Sequence, residues 1–313
     1  MSIGRSARTF LLWCATGLVL LSPGYAPAAA QGLGLTSPDD KRPLDVEADQ
    51  GIEWRQDDNV YIARGNAHAS RGNATLYADT LIAHYRPISP ERSKPPDPGS
   101  LTGSTEIYRI EAEGNVRLKT ETQTVFGDRG VYDLDSATAV VTGKHLRLVT
   151  PKDVVTARDS LEWYDNKQIA VARGDALAVR EAKRLAGDVL VAQIVKPADG
   201  PSRISRIDAH GHVVVTTLNE IARGATGVYN VDSGIATLGG GVTITRGDNE
   251  LRGQYGVVDL NKNVSRLLSA PPGELTRGAP VQGLIIPRGS GKPPAAAPAA
   301  PQSAPAAKPA PQR

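Results

Sequence analysis

The chain has 313 residues, with 36 basic and 33 acidic side chains and a formal charge of +3. That near balance, with no basic stripe, argues against nucleic acid as a ligand. The single cysteine, Cys14, excludes an intrachain disulfide and sits in the N-terminal segment, so the rest of the chain has no thiol chemistry.

Arg5 and Arg8 precede an apolar run from Phe10 to Leu21, and Ala28-Ala29-Ala30 supplies small residues where a signal peptidase cuts. Residues 1–30 therefore read as a cleaved signal peptide, and an uncleaved anchor is the alternative. Losing Arg5 and Arg8 leaves a charge of about +1 on the exported chain. Residues 31–42 are a polar leader.

Leu44, Val46 and Ala48 then alternate with Asp45, Glu47 and Asp49, the period of a strand with one wet face. Short strands follow around Ile52 and Trp54, over Val60–Ala63 up to a stop at Gly65-Asn66 with a resumption at Ala67 and Ala69, and over Thr75–Tyr85. Frequent turn residues between them predict a sheet rather than a βαβ unit. The proline-rich stretch 87–103 reads as a loop or insertion, because proline removes ladder donors. Gly127-Asp128-Arg129-Gly130 reads as a turn, residues 179–186 as a possible helical turn, and Val281–Ile286 as one further edge strand. Residues 271–313 are mostly proline, alanine and glycine and are expected to be disordered.

Between these limits the chain repeats. Arg109-Ile110-Glu111-Ala112-Glu113-Gly114-Asn115-Val116 returns as Arg206-Ile207-Asp208-Ala209-His210-Gly211-His212-Val213. Gly130-Val131-Tyr132-Asp133 returns as Gly227-Val228-Tyr229-Asn230, and Gly143 as Gly240, always 97 residues on. Repeat-like units span 107–194 and 204–262. Gly65, Gly114, Gly143, Gly174, Gly211 and Gly240 each interrupt β-patterned sequence. Glycine there permits a bulge or bend, so each marks a corner where the sheet wraps over itself, with ordinary hairpin glycines as the alternative. The fold class is all-β: a β-jellyroll of stacked short antiparallel strands, elongated and open-ended, with extra repeat rungs.

No nucleophile elbow, zincin or phosphate-loop pattern is present. His210 and His212 are spaced for a metal pair on a strand, but no cysteine joins them and the first copy has Glu113 and Asn115 instead, so they read as surface residues. Asp133 and Asp259 read as turn acceptors. Catalytic, cofactor and metal residues are therefore expected to be absent. The informative face is aliphatic: Val116, Leu118, Leu134, Val213, Val215, Val242 and Ile244. A closed core and a core that opens to admit acyl chains both place these residues inward.

Pro43-Leu44-Asp45-Val46-Glu47-Ala48-Asp49, Ala63-Arg64-Gly65-Asn66-Ala67 and Thr75–Leu81, followed by the two Ile-x-Ala-x-Gly-x-Val rungs, resemble the OstA-like, or organic-solvent-tolerance-like, family over about residues 43–262. The resemblance implies a periplasmic jellyroll with a groove for the acyl chains of lipopolysaccharide, and no catalysis. It also implies end-to-end docking through matching jellyroll edges with an inner-membrane bridge subunit, an outer-membrane translocon and further copies of itself. The seven aliphatic residues are then the lipid-groove candidates. The chain departs from the family in its extra rungs, its insertion and its tail. A closed envelope scaffold and the anchored bridge subunit of the same system are the competing readings.

Overall fold

The computed structural model describes residues 44–88, 105–197, 202–271 and 280–286. The signal peptide, the leader, most of the 87–103 insertion and most of the 271–313 tail lie outside them. Among the described residues eighteen strands form one hydrogen-bonded sheet. In chain order they are β1 (Asp45–Glu47), β2 (Gly51–Arg55), β3 (Val60–Arg71), β4 (Ala74–Pro87), β5 (Thr105–Lys119), β6 (Thr124–Asp133), β7 (Thr138–Thr142), β8 (Leu146–Val149), β9 (Asp153–Ala157), β10 (Ser160–Tyr164), β11 (Ile169–Arg180), β12 (Lys183–Val195), β13 (Arg203–Thr216), β14 (Ile221–Asn230), β15 (Ile235–Arg246), β16 (Asn249–Asp259), β17 (Val264–Leu268) and β18 (Gln282–Leu284).

Every pairing is antiparallel, and most strands are long and bent once. In β3, Arg64 faces Thr80 and Ala67 faces Ala78, so Gly65 and Asn66 together oppose Asp79 alone. Both take positive φ, 80° and 44°. Two left-handed residues in succession swing the strand out of its plane. The same device recurs at Gly114-Asn115, Gly174-Asp175, Gly211-His212 and Gly240-Gly241. In the middle of the molecule the bend becomes a break, which separates β7 from β8 around Gly143 and β9 from β10 around Arg158-Asp159.

The bends align into an elbow that divides the sheet in two. The first half-sheet runs from β2 through the amino half of β3 and the carboxyl half of β4 to β7, β10, the amino half of β11 and finally β17. The second runs from β1 through the other halves of those strands to β8, β9 and finally β18. The two halves face each other and share a core. Its larger cluster takes Leu161, Trp163, Leu190 and Leu238 from the first half and Leu118, Val125, Val215 and Ile244 from the second. A smaller cluster, mostly alanine, fills the amino-terminal rungs around Ala67, Ala78, Leu81 and Val116. The described residues thus form an open, elongated all-β stack with no closed barrel among them.

Four sequence expectations change in detail. The strands are not short: Gly65-Asn66 bends β3 without ending it. Gly127-Asp128-Arg129-Gly130 is no turn but the middle of β6. The glycines there make room, since a Cβ on Gly127 would lie 2.4 Å from a Val141 methyl carbon. Residues 179–186 form a tight β11–β12 hairpin, with Arg180 paired to Lys183 and no helical turn. Pro87 ends β4 opposite Thr105, at a strand terminus where its missing donor costs little. The predicted turns hold elsewhere. Asp133 Oδ1 accepts from the Ser136 N–H at 2.8 Å, and Asp259 Oδ1 accepts from the Asn261 and Lys262 N–H groups at 3.0 and 2.9 Å. The expected edge strand is β18.

Candidate functional site

The candidate site is the space between the half-sheets. One row of cross-strand partners on the inner face of the second half reads Val46, Ala69, Leu76, Leu118, Val125, Leu148 and Val155. It continues through Ala178, Leu185, Val215, Ala222 and Ile244 to Leu251. The facing row of the first half reads Ala63, Leu81, Ala112, Gly130, Val141, Leu161 and Ala172, then Leu190, Ala209, Gly227, Leu238, Gly256 and Leu267. Neither row contains a polar side chain. Both follow directly from the two-residue period of a strand whose outer face is wet.

Six of the seven aliphatic residues singled out in the sequence lie on this inner surface. Leu118, Val215 and Ile244 belong to the second row, and Val116, Val213 and Val242 sit just inside the elbow. All six are buried, Val213 and Val242 to 1 % exposure or less. Leu134 is elsewhere. It follows β6 in a turn, half-buried, where its N–H donates to the Tyr108 carbonyl at 2.9 Å.

The elbow valines fill the space that glycines leave opposite them. A Cβ on Gly227 would lie 3.1 Å from a Val213 methyl, and one on Gly256 2.9 Å from a Val242 methyl. At Gly130 the corresponding gap to Val116 is wider, 3.4 Å. An apolar cavity of about 50 Å³ lies there, lined by Leu76, Ile110, Ala112, Val116, Leu118 and Tyr132 among others. It has room for about four water molecules, far less than an acyl chain. Admitting one requires the half-sheets to part.

Polar groups gather at the mouth of the cleft, opposite the elbow. Glu220, 7 % exposed, precedes β14 on the second half-sheet. Its Oε2 accepts from Arg246 Nη2 at 2.7 Å, and its Oε1 accepts from the hydroxyl of Ser265 at 2.5 Å. Ser265 lies on β17 of the first half-sheet, so this contact spans the mouth near the carboxyl-terminal end. Replacing Glu220 by alanine removes both bonds and is expected to cost about 2–3 kcal/mol in urea denaturation, with Ser265→Ala costing about 1 kcal/mol. Equal, near-zero effects would mean that the contact does not hold the halves together. Further along the mouth, burial pushes the Asp165 carboxyl above its usual range, against the pull of the Lys196 charge and a Tyr132 hydrogen bond. Burial likewise raises the Tyr229 phenol.

The other sequence candidates are brought to the outside. His210 and His212 are exposed, and His212 Nδ1 lies 3.0 Å from both Asp188 carboxylate oxygens. Among the described residues no group of three His, Cys, Asp or Glu is placed to hold a metal ion. His212 occupies the elbow position that Asn115 holds in the first copy, where Asn115 Nδ2 donates to Asp79 at 2.9 Å. The aspartates under the elbow were not singled out from the sequence. Asp79, Asp128, Asp159 and Asp188 lie against Gly114, Gly143, Gly174 and Gly211. The signal was an aspartate on the preceding strand or at its break for four of the six rung glycines, whereas Gly65 lies against Gln50 and Gly240 against Ala225. It could be read only once the register was known.

Comparisons with known proteins give the family. The model of the family described as "LptA/(LptD N-terminal domain) LPS transport protein" matches twice in succession, over residues 45–159 and 155–264. An uncharacterized protein of Rhizobium meliloti (strain 1021) is 30 % identical over 125 residues, which cover 40 % of this chain and 60 % of that relative. The chain thus matches somewhat over half of the relative's length. A solved structure of LptH, "the LptA homologous periplasmic component of the conserved lipopolysaccharide transport device from Pseudomonas aeruginosa", is 22 % identical with a TM-score of 0.38, over 43 % of this chain and 95 % of LptH. Between them the two family matches take in the whole stack from β1 to the start of β17, and the chain belongs to the LptA/(LptD N-terminal domain) family of lipopolysaccharide transport proteins.

Proposed function

We propose that this protein works in the periplasm as a lipopolysaccharide carrier and bridge, holding the acyl chains of the lipid between its half-sheets. The observation that carries this reading is the pair of facing rows, apolar from the first rung to the last. A closed scaffold needs an apolar core, but it does not need one drawn out along the whole length of an open stack. Burying acyl methylenes there would contribute about 0.8 kcal/mol each, enough to offset the separation of the halves over a long chain. The polar groups at the mouth, Glu220 among them, bound this apolar compartment on the side opposite the elbow.

Bridging follows from the ends. The stack is open, with β1 and β2 at one end and β17 and β18 at the other, and unpaired strand edges recruit other β proteins. Ile52 and Trp54 are exposed at the first end, and Val264 and Leu284 at the second. These edges suit further copies of the chain and the jellyroll edges of an inner-membrane bridge subunit and an outer-membrane translocon.

The test is photo-crosslinking of purified protein to lipopolysaccharide, with probes at Leu118, Val215 and Ile244 and an outward control at Thr243. Labelling of the first three and not of Thr243 is the expected result. No labelling of a protein that shows the circular dichroism of a folded sheet would select the closed scaffold instead.

A further inference from the structure

The charges on the two outer faces are sorted differently. On the first half-sheet each outward carboxylate holds its own arginines. Glu111 takes Arg109 and Arg129 at 2.8 and 2.7 Å, Glu162 takes Arg173 at 2.8 Å, and Asp208 takes Arg206 at 2.6 Å. On the second half-sheet Arg117, Arg147, Arg184 and Arg223 point outward and have no carboxylate partner among the described residues.

Two of these four are held in place by rings. The Arg117 guanidinium lies 4.3 Å from the centre of the Tyr77 ring, and that of Arg147 lies 4.8 Å from the centre of Phe126. The register sets Tyr77, Arg117, Phe126 and Arg147 side by side on consecutive strands. A guanidinium stacked on a ring keeps its planar edge of donors free and has already lost much of its rotamer freedom. Two strand spacings place Arg117 and Arg147 about 10 Å apart.

The same row continues outward-facing through Thr156, Leu177, Ala186 and Val214, half-buried, to Arg223, and from there through Thr243 to Arg252, which Glu250 holds. Arg184 flanks the row one position away. The outer face therefore carries a short aliphatic strip, Leu177, Ala186 and Val214, between Arg147 and Arg223. A groove of about 670 Å³ opens beside the Arg117 end. Its acidic elbow wall is already engaged: Asp49 accepts from Asn66, Asp79 from Asn115, and Asp128 from the Lys144 N–H. With the whole chain near neutral, attraction for an anion must arise from this local sorting.

We propose that the outer face of the second half-sheet docks on an anionic phospholipid surface, with Arg117, Arg147, Arg184 and Arg223 taking lipid phosphates and the aliphatic strip lying against the headgroup boundary. The proposal does not depend on cargo in the interior. Fork-shaped donors match phosphate oxygens, and each basic residue near an anionic leaflet strengthens partitioning about fivefold.

The experiment is co-sedimentation of the purified protein with phosphatidylcholine vesicles, with and without phosphatidylglycerol and free of lipopolysaccharide. Neutral vesicles set the background from any other segment. Binding is expected to rise with phosphatidylglycerol and to fall with salt. It should weaken about fivefold for each arginine replaced by glutamine and return to background when all four are replaced. An Arg109→Gln, Arg173→Gln variant on the other outer face should bind as the parent does. Circular dichroism of the fourfold variant checks that it folds; should it not, the single variants decide. The proposal is overturned if the parent ignores phosphatidylglycerol, if the arginine variants bind normally, or if glycerol phosphate in solution displaces the vesicles, which would mark a site for soluble phosphate.

Discussion

Val242→Asp is expected to leave little or no folded protein. Val242 is 1 % exposed, packs in the larger core and fills the space over Gly256 just inside the elbow. A carboxylate there meets no cationic partner on either inner row. Burying it, charged or forced neutral, should cost at least about 4 kcal/mol, against a total stability of roughly 5–15 kcal/mol for a domain. Circular dichroism and urea denaturation check this directly. Val215→Asp, at 8 % exposure nearer the cleft mouth, should be milder and leave a folded fraction. Its lipopolysaccharide binding can then be measured apart from its stability. A Val242→Asp protein with parental stability would show that the inner face has been wrongly assigned.

Gly211→Ala is the second large effect. Gly211 has φ of +71°, and a Cβ placed on it would lie 2.0 Å from the Asp188 Oδ2 atom and 2.9 Å from the Asp188 Cβ. The left-handed conformation alone costs an L-residue about 1–2 kcal/mol. The clash then forces Asp188 to rotate away from His212, so about 2–4 kcal/mol is expected in all. Gly241 separates the two causes. Its φ is +80° with nothing within 4 Å of a Cβ, so Gly241→Ala should lose only the backbone part, about 1–2 kcal/mol. Asp188→Ala should recover part of the loss at Gly211 and none at Gly241, which a double-mutant cycle would read. Equal losses at the two glycines would mean that the elbow aspartates do not press on the bend.

These two positions show how differently the chain discloses its parts. The inward side of Leu118, Val215 and Ile244 is visible from alternation, because a strand sends neighbouring side chains to opposite faces whatever it pairs with. Leu134 has the same aliphatic character but lies beyond the end of β6, where alternation no longer applies. The elbow was half visible. Gly114 and Gly211 announced a bend through the repeat, yet Asp79 and Asp188 beneath them did not. Their contact depends on which residue a neighbouring strand sets opposite the bulge. Gly127 and Gly130 read as a turn because turns and close strand approaches demand the same residue. Only the facing Val141 and Val116 distinguish the two.

Some features had no local trace. Glu220 and Ser265 lie 45 residues apart and meet only because the half-sheets close on each other. That Arg117, Arg147, Arg184 and Arg223 on one outer face have no carboxylate among the described residues, while Arg109, Arg129, Arg173 and Arg206 on the other have one, likewise depends on cross-strand neighbours, since Arg109 and Arg117 look alike in the chain. By itself the sequence determined the all-β class, the repeated rungs, the glycine corners and the apolar inner face, all of which follow from residue type and a period of two. The tertiary structure decided the register, the depth and closure of the cleft, the aspartates under the elbow and the charge asymmetry of the outer faces. Each of these is a relation between distant strands, and a one-dimensional pattern holds no information about which strand lies opposite which.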